Sequence, residues 1–341
     1  MMTEELATYG STNDIKILAC AQDYDRKMHP DETIFYTNDL ALKNIANTIF
    51  GSDSIKSVEI EQDNYKGYKE VYLSEEEMCK FYENLSYNHF DLYINEYVII
   101  HEKGGAPVDA WKWDGETHQA LRYSPFPSEH FGNIKPYKDD IYQTLAADSL
   151  CHNKVTMLKG PAGSGKTILS LGYLMNRLET GKIKKIIIFC NTVATANSAH
   201  LGFYPGSRDE KLLDSQIGNL LASKFGGRIE VERMIEEEQL VLLPMSDIRG
   251  YDTTGMEAGI YISEAQNLDI TLMKLALQRI GEDSVCIIDG DADTQVDHQA
   301  YAGRNNGMRR VSQVFRGSDI YGEVELQQIH RSKVASLAEQ L

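Results

Sequence analysis

The sequence has no apolar run long enough to cross a membrane, and residues 1–5 form neither a basic region nor an apolar segment. A membrane span and a secretion signal are therefore not expected. Cysteine is also scarce, with five scattered residues and no C-x-x-C pair. An odd number of scattered thiols argues against a disulfide framework or a zinc site and fits a reducing compartment. We expect a cytoplasmic protein with no membrane partner.

Positive charge is scarce in the first part of the chain. The 341 residues carry a net charge of −17. Residues 1–150 hold 13 basic and 27 acidic side chains, a balance of −14, which leaves −3 for the remainder. No basic nucleic-acid patch is expected in the N-terminal half, so any such binding should belong to the second half. The chain is long enough for two domains and has no repeats or low-complexity tract.

One glycine-rich segment, Gly160-Pro161-Ala162-Gly163-Ser164-Gly165-Lys166-Thr167, fits G-x-x-x-x-G-K-[ST] and is called the P-loop below. It follows an apolar run at Val155–Leu158 and precedes a helical pattern at Thr167–Leu178. Glycines allow successive backbone N–H groups to turn toward a phosphate. Lys166 can reach the β- and γ-phosphates, and the Thr167 hydroxyl can bind Mg²⁺. The sequence thus predicts a nucleotide site.

Apolar runs alternate with helical patterns from about residue 137 onward. Strands are predicted at Val155–Leu158, Lys185–Cys190, Leu240–Pro244, Gly259–Ile262 and Val285–Asp289, and helices near 167–179, 209–224, 269–280 and 306–315. This alternation predicts a parallel sheet covered on both faces, with the ligand at the carboxyl ends of the strands. We predict the α/β class, with a RecA-like P-loop NTPase domain.

The earlier part of the chain has a different pattern. Helix and strand signals alternate at Ile15–Ala21, Thr33–Tyr36 and Leu40–Ile49. Residues 86–125 are aromatic and β-like, with the clearest strand at Leu92–Ile100, and the proline-bearing stretch Ser124–Pro136 is predicted to be a linker. We therefore divide the chain into residues 1–75, a β-rich connector and linker over 76–134, and the P-loop domain over 135–341.

The strand predicted at Gly259–Ile262 ends in Ser263-Glu264, where the usual pattern is Asp-Glu. Glu264 is a candidate general base, with the alternative that it is an ordinary surface acid. Because a serine hydroxyl offers Mg²⁺ a dipole where a carboxylate offers charge, Ser263 predicts weaker Mg²⁺ affinity or slower turnover.

Two later segments supply further candidates. Residues 289–297, with Gly290-Asp291 and Gln295, fit a γ-phosphate sensor. Their four aspartates would instead suggest a calcium loop, but the EF-hand spacing and terminal glutamate are absent. Arg331 follows a β-like run at Val324–Ile329, and its guanidinium can stabilise charge on a γ-phosphate in the transition state.

In this order the motifs closely resemble those of the PhoH family of ATPases, which share motor motifs with superfamily 1 helicases. Besides the P-loop, the resemblance rests on His200–Gly206, Glu210-Lys211, Ile248-Arg249-Gly250, Glu264–Asn267, Gln278–Gly281, Gly290-Asp291 with Gln295 and Asp297, and Arg331-Ser332. It covers the chain from about residue 135 and implies ATP and Mg²⁺ as cofactors. The catalytic residues it implies are Lys166, Glu264, Gln295 and Arg331, with Thr167 and Ser263 at the metal.

The resemblance also implies hydrolysis coupled to RNA or single-stranded nucleic acid, in a ring-shaped homo-oligomer. A cluster of basic residues after the sensor fits this function: Arg304, Arg309, Arg310 and Arg316. The alternative is a nucleotide-gated scaffold with slow hydrolysis and no unwinding, which Ser263 and the acidic N-terminal half favour. A small-molecule kinase is disfavoured, since the motifs after the P-loop match motor proteins.

Upstream, residues 13–21 and 36–40 resemble the C-terminal part of a PIN ribonuclease domain, and residues 65–68 resemble the junction of PIN–PhoH fusions. Asp14 and Asp39 match two of the metal-binding carboxylates of a PIN domain, with the alternative that they only cap a helix and form a turn. The other carboxylates would lie before residue 10, where there is no room. We expect a truncated segment, either a remnant or completed by another polypeptide, that does not cleave RNA alone.

Three departures from the family pattern bear on adenine specificity and catalytic rate. Asn191-Thr192 replaces the usual Arg-Pro after a strand. Gln143 is displaced from the position expected for the adenine-reading glutamine. Three residues, where two are usual, separate Asp291 from Gln295.

Overall fold

A computed structural model describes residues 13–28, 34–37, 40–50, 54–56, 65–102, 105–121, 125–190, 216–292 and 305–330. The chain forms two compact units, residues 1–64 (the N-terminal unit) and residues 65–341 (the main unit). The division into three domains at residues 75 and 134 stays a prediction.

The N-terminal unit contains two helices and a pair of parallel strands: α1 (Asn13–Met28), β1 (Phe35–Tyr36), α2 (Leu40–Phe50) and β2 (Ile55–Lys56). Its small core is formed by Ile15, Leu18, Ala46 and Ile55. Asp14 is exposed in the first turn of α1, where a carboxylate interacts favourably with the helix dipole. Asp39 lies outside the described residues. The likeness to a PIN domain stays a prediction.

The main unit begins with a four-stranded sheet. Its elements are β3 (Tyr68–Leu73), α3 (Glu75–Glu83), β4 (Tyr97–Glu102), β5 (Pro107–Trp113) and β6 (His118–Ala120). Strands β3 and β4 are parallel, and the other neighbours are antiparallel. The strand predicted from Leu92 starts five residues later than expected. Asp91 and Asn95 adopt positive φ, 50° and 64°, so the chain turns before β4 begins.

A hairpin follows, with strands β7 (Phe126–Ser128) and β8 (Gly132–Ile134). Phe126 and Ile134 are buried in the main core, and the Phe126 ring lies 5.3 Å from that of Tyr173. The stretch Ser124–Pro136 therefore contains an ordered hairpin where the sequence predicts a linker. Its apolar side chains Phe126, Phe131 and Ile134 do not alternate with polar residues at the strand period of two, so the hairpin is not visible in the sequence.

The largest sheet has six parallel strands: β9 (Val155–Lys159), β10 (Lys185–Cys190), β11 (Leu240–Pro244), β12 (Ala258–Ile262), β13 (Val285–Gly290) and β14 (Tyr321–Glu325). Their order is β11-β10-β12-β13-β9-β14. The helices around it are α4 (Ile141–His152), α5 (Lys166–Glu179), α6 (Gln216–Lys224), α7 (Arg228–Glu236), α8 (Ile270–Leu277) and α9 (Gly307–Phe315). The prediction of a mixed α/β fold with a parallel sheet is confirmed.

Helices cover both faces of this sheet. Along β9, Leu158 belongs to one apolar cluster, together with Leu145 of α4 and Leu169 of α5. Its neighbour Met157 belongs to the other cluster, together with Met273 of α8 and Met308 of α9. Because successive side chains of a strand point to opposite faces, this alternation places a helical layer on each side.

The four-stranded sheet is joined to the main core by a buried polar network. Asp148 of α4 is 1 % exposed, and its carboxylate accepts a hydrogen bond from the Tyr97 hydroxyl at 2.9 Å. Lys112 of β5 lies 3.2 Å from the same carboxylate, and so does His152. Burial of a carboxylate is tolerated when charged and polar partners surround it.

Replacing Tyr97 with phenylalanine is expected to lower the free energy of unfolding by about 1.5–3 kcal/mol, because it removes a buried hydrogen bond to a charged group. Tyr82→Phe is the matched control: Tyr82 also donates to an aspartate, Asp109 at 2.8 Å, but this pair is exposed to solvent. Urea unfolding of both variants checks the prediction. Equal losses in the two would show that burial adds nothing to the Tyr97 bond.

Candidate functional site

The P-loop connects the carboxyl end of β9 to the start of α5, one strand in from the edge strand β14. Gly160, Gly163 and Gly165 have positive φ values of 134°, 85° and 100°. A Cβ atom on Gly160 would lie 2.4 Å from the Leu326 carbonyl oxygen, so only glycine fits there. The loop thus turns back against the chain after β14 and exposes its backbone at the N-terminus of α5, a favourable place for a phosphate.

Lys166 lies at the first position of α5 and folds over the P-loop. Its ammonium donates hydrogen bonds to the carbonyl oxygens of Gly160 and of Pro161, the latter at 2.9 Å. Ser164 is fully buried and donates to the Pro161 carbonyl at 2.9 Å, which closes the loop from within. The lysine is therefore held at the mouth of the loop, within the reach that the sequence motif requires.

Gln143 contacts the P-loop directly, although the sequence places it away from the expected adenine-reading position. Its side-chain amide donates to the Ser164 carbonyl at 2.8 Å and accepts from the Tyr137 backbone N–H at 2.9 Å. Asp140 caps α4 and accepts from Gln143 N–H. This contact cannot be seen in the sequence because it joins residues 21 positions apart. Gln143 is the buried residue of the first turn of α4, whereas Ile141, Tyr142 and Thr144 are partly exposed, and no local pattern shows this.

His330 holds the other side of the loop. Its backbone N–H donates to the Gly163 carbonyl at 2.9 Å, and its ring lies 2.7 Å from the Asp140 carboxylate. The strand before it, β14, spans Tyr321–Glu325 rather than the predicted run Val324–Ile329. Arg331 and Gln295 lie outside the described residues, and so do residues 200–206, 210 and 211.

Glu264 follows β12 with a left-handed backbone, φ 52°. Its carboxylate accepts a hydrogen bond from the Gln266 side chain at 2.6 Å. The side-chain carbonyl of Gln266 in turn accepts a hydrogen bond from the backbone N–H of Asp291 at 3.3 Å. The structure thus links the predicted base to the predicted sensor turn through one buried glutamine. The value φ > 0 in a residue other than glycine is a strained conformation of the kind found at functional sites.

Asp289, near the end of β13, is a further site residue whose importance the sequence analysis missed. It is 2 % exposed and accepts from the Tyr261 hydroxyl at 2.6 Å and from the Glu264 N–H at 3.3 Å. Burial raises the pKa of its carboxyl to about 6, although the Lys166 ammonium acts to lower it. A carboxylate at the end of an apolar strand was the signal in the sequence.

The oxygen atoms near Lys166 suit a nucleotide-bound Mg²⁺. Burial and the bonded Asp289 carboxylate raise the pKa of the Tyr261 phenol, and the nearby hydroxyls of Ser263 and Thr167 act to lower it. Mg²⁺ in such sites is held by one or two carboxylates together with phosphate oxygens and water. Among the described residues no group of three or more His, Cys, Asp or Glu could hold a metal ion.

Other family-like residues lie elsewhere. Arg249 is exposed in the turn after β11, and the Arg279 carbonyl accepts hydrogen bonds from Thr253. Arg316 stacks on the Tyr65 ring, with 3.8 Å between the guanidinium carbon and the ring centre. None of the helices in the described ranges is long and apolar enough to cross a membrane.

Fold and loop together define a class. Strand β13 lies between β9, which precedes the P-loop, and β12, which precedes Ser263-Glu264. A six-stranded parallel sheet with the loop at the carboxyl end of a strand is consistent with a P-loop NTPase domain. The family model of the PhoH-like protein matches residues 134–341, and the chain belongs to this family. Membership suggests a P-loop ATPase and implies nucleotide binding.

Individual proteins similar to this chain also bear PhoH names. The chain is 28 % identical to Protein PhoH2 of Bacillus subtilis (strain 168) over 351 residues, which covers 97 % of this chain and 78 % of that protein. It is 34 % identical to the PhoH-like protein of the same organism over 50 % of this chain and 51 % of that protein. Protein PhoH2 of Mycolicibacterium smegmatis is 29 % identical over 58 % of this chain and 45 % of its own length. The matches to these last two span about half of each relative.

Proposed function

We propose that this chain hydrolyses ATP with Mg²⁺ and couples the hydrolysis to RNA or single-stranded nucleic acid, as a helicase-like motor or switch in a ring-shaped homo-oligomer. The observation that supports it most is the hydrogen-bond chain from Glu264 through Gln266 to Asp291. Glu264, the proposed general base, is connected through Gln266 to Asp291 in the turn that follows the neighbouring strand β13. Such a connection is what a nucleotide-driven switch requires.

In the proposed reaction Lys166 binds phosphate oxygens and the backbone N–H groups of the P-loop orient them. Glu264 accepts the proton of the attacking water, with its carboxylate oriented by the Gln266 amide. When bound, Mg²⁺ neutralises charge on the phosphates. Gln295 is proposed to sense the γ-phosphate and Arg331 to stabilise the charge that develops on it. The described residues end at His330, whose backbone N–H donates to the Gly163 carbonyl of the loop.

The coupling to nucleic acid is proposed to run through α9. Asn306 caps this helix and donates from its side chain to the Gln266 backbone carbonyl at 2.9 Å. The first turns of α9 carry Arg309 and the exposed Arg310, whose guanidinium can bind a backbone phosphate. A shift of Gln266 on hydrolysis would therefore move a helix that carries cations.

For the N-terminal unit we propose that it resembles the C-terminal part of a PIN domain. The alignment with Protein PhoH2 of Bacillus subtilis, which covers 97 % of this chain, supports its belonging to the same architecture. The α/β composition of the unit and the position of Asp14 at a helix start agree with this proposal. A PIN-type ribonuclease activity is less favoured than the motor and the scaffold, because Asp14 and Asp39 match only two of the carboxylates of a PIN domain.

Steady-state hydrolysis of ATP tests the main proposal. We expect single-stranded RNA at low salt to stimulate turnover severalfold and raised salt to remove the stimulation, because contacts to phosphates release counterions. Glu264→Gln is expected to lower turnover by about 100-fold or more while nucleotide binding persists. Glu282→Gln, a change at a fully exposed glutamate, is the control and should leave turnover unchanged.

The second candidate function, a nucleotide-gated scaffold, is favoured by Ser263 at the position of the usual aspartate. Slow hydrolysis that RNA does not alter, together with an assembly state that changes when ATP is added, would support the scaffold and refute the motor. Size measurements of the whole chain with and without ATP distinguish the two. Loss of all nucleotide binding would refute both.

A further inference from the structure

Asp289 lies on β13, between the strand that precedes the P-loop and the strand that precedes Ser263-Glu264. On one side it pairs with Leu158 of the P-loop strand β9. On the other, Ile288 pairs with Ile262 of β12, so that Asp289 and Ser263 are the next residues along two adjacent parallel strands. Tyr261 and Ile287, two positions before Ser263 and Asp289, belong to the apolar cluster that contains α5. The strand period of two therefore places both polar side chains on the face covered by α5.

The contacts of Asp289 leave part of its carboxylate available. An ionised carboxylate has about four acceptor sites. The Tyr261 hydroxyl at 2.6 Å and the Glu264 N–H at 3.3 Å are its bonded partners among the described hydrogen bonds, one on each oxygen. The hydroxyls of Ser263 and Thr167 are close enough to the same phenol to act on its pKa, which both of them lower. One carboxylate and two hydroxyls thus converge beside the helix that begins with Lys166.

Packing alone does not account for a carboxylate at this position. The strand before it, Val285 to Ile288, is apolar and almost entirely buried, and an apolar residue would continue the run. Burial of a carboxylate is unfavourable unless a cation or several donors compensate for it. Lys166 is the cation that acts on it, and Lys166 is the residue expected to turn toward the phosphates when a nucleotide is bound.

The family pattern has a carboxylate where this chain has Ser263, and that carboxylate would face the hydration shell of Mg²⁺. We propose that Asp289 supplies this missing negative charge from the adjacent strand, with Ser263 and Thr167 as neutral oxygen partners. The acidic group has moved one strand closer to the P-loop. This inference rests on the proposed binding of ATP with Mg²⁺, and it assigns Asp289 a role in positioning the metal, distinct from the proton transfer assigned to Glu264.

The test compares nucleotide affinity with and without metal, so that it does not depend on turnover. The dissociation constant of a non-hydrolysable ATP analogue is measured in Mg²⁺ and in EDTA for the whole chain, for Asp289→Asn, for Ser263→Asp and for the double variant. The number and affinity of bound Mn²⁺ ions, measured by electron paramagnetic resonance with the same analogue, give a second readout. Asp148→Asn, which changes another buried carboxyl, is the control.

We expect Mg²⁺ to tighten binding at least tenfold in the unaltered chain and in Asp148→Asn. In Asp289→Asn this gain should fall to about twofold, with binding in EDTA unchanged or slightly tighter, because a negative charge near the phosphates is gone. The double variant, with the carboxylate restored at position 263, should recover most of the gain. Mn²⁺ affinity should follow the same order.

A gain from Mg²⁺ in Asp289→Asn equal to that of the unaltered chain would overturn the inference, and so would equal losses with and without metal. An unaltered chain that binds the analogue without any effect of Mg²⁺ would also overturn it, while nucleotide binding itself would stand. An unaltered chain that binds no nucleotide in either condition would refute the proposed function, and the inference with it. Failure of the double variant to recover is judged against Ser263→Asp alone. If that variant keeps the gain, a carboxylate at position 263 cannot replace Asp289, and the inference that the two positions supply the same charge to the metal is overturned.

Discussion

Replacement of Lys166 with alanine is expected to lower the affinity for ATP by at least about 100-fold and to abolish measurable hydrolysis. In the nucleotide-free protein the Lys166 ammonium is bonded to the carbonyl oxygens of Gly160 and Pro161. Water can replace it there because the loop mouth is partly exposed, so the fold should survive. On phosphate oxygens, however, its positive charge acts in a site of reduced dielectric, where a charge–charge contact is worth several kcal/mol.

Lys182→Ala is the matched control, because Lys182 is an exposed lysine just beyond the carboxyl end of α5. Titration with an ATP analogue gives the affinities, and the thermal midpoint of the nucleotide-free protein reports on the fold. We expect Lys166→Ala to keep its midpoint but to lose the upward shift that ATP gives to the unaltered chain. Binding by Lys166→Ala within threefold of the Lys182→Ala value would refute the placement of the nucleotide at this loop.

Replacement of Gly67 with alanine is expected to destabilise the main unit by more than about 3 kcal/mol. Gly67 has φ 84°, and a Cβ atom built on it would lie 1.7 Å from the Glu323 carbonyl oxygen. The left-handed backbone costs a residue with a Cβ about 1–2 kcal/mol. The overlap adds a further 1–3 kcal/mol or more, because a backbone carbonyl of β14 cannot rotate away as a side chain does.

Gly132→Ala separates the cost of the left-handed backbone from the cost of the steric overlap. Gly132 has a similar φ, 68°, but a Cβ atom there meets nothing within 4 Å. We therefore expect about 1 kcal/mol for this control, due to backbone strain alone. Urea unfolding followed by circular dichroism gives both values, and a Gly67→Ala chain without a cooperative transition would count as the larger loss. Similar values for the two variants would mean that the chain around residue 67 moves away from β14 without penalty.

The sequence was sufficient for the centre of the large sheet. Strands β9 to β13 are short apolar runs buried on both faces, and each was predicted to within one residue at either end. Helix α5 was predicted to begin one residue later than it does. These elements follow from local patterns, because a short apolar run between two helical segments is typical of a strand buried in a parallel sheet. The P-loop is likewise a local feature.

Strand β14 could not be placed from the sequence because its pattern is polar. It contains Gly322 and Glu323, yet both are buried. Glu323 is buried because Lys159 lies 2.6 Å from its carboxylate, and Gly322 because Ser149 and Asn153 of the neighbouring helix region occupy the space of a side chain. Both reasons involve partners more than 150 residues away in the chain, which no local period can show.

The candidate site could be predicted only where its residues are adjacent in the sequence. The P-loop and Ser263-Glu264 were recognised as motifs. Gln143 and Asp289 owe their positions to pairings with Ser164 and Tyr261, which depend on the order of strands and helices rather than on the order of residues. Tyr261 was within a predicted strand, but its hydroxyl had no evident role before the neighbouring strand was known.

The apolar core shared by the four-stranded sheet and the P-loop sheet extends beyond the segment that the family model matches. The family match begins at residue 134, whereas Tyr97 and Ile99 of β4 are buried in the same cluster as Leu145 and Leu150 of α4. The matched segment is thus smaller than the compact unit, which begins at Tyr65. A chain cut at residue 134 would therefore lose part of the apolar cluster that buries one side of α4.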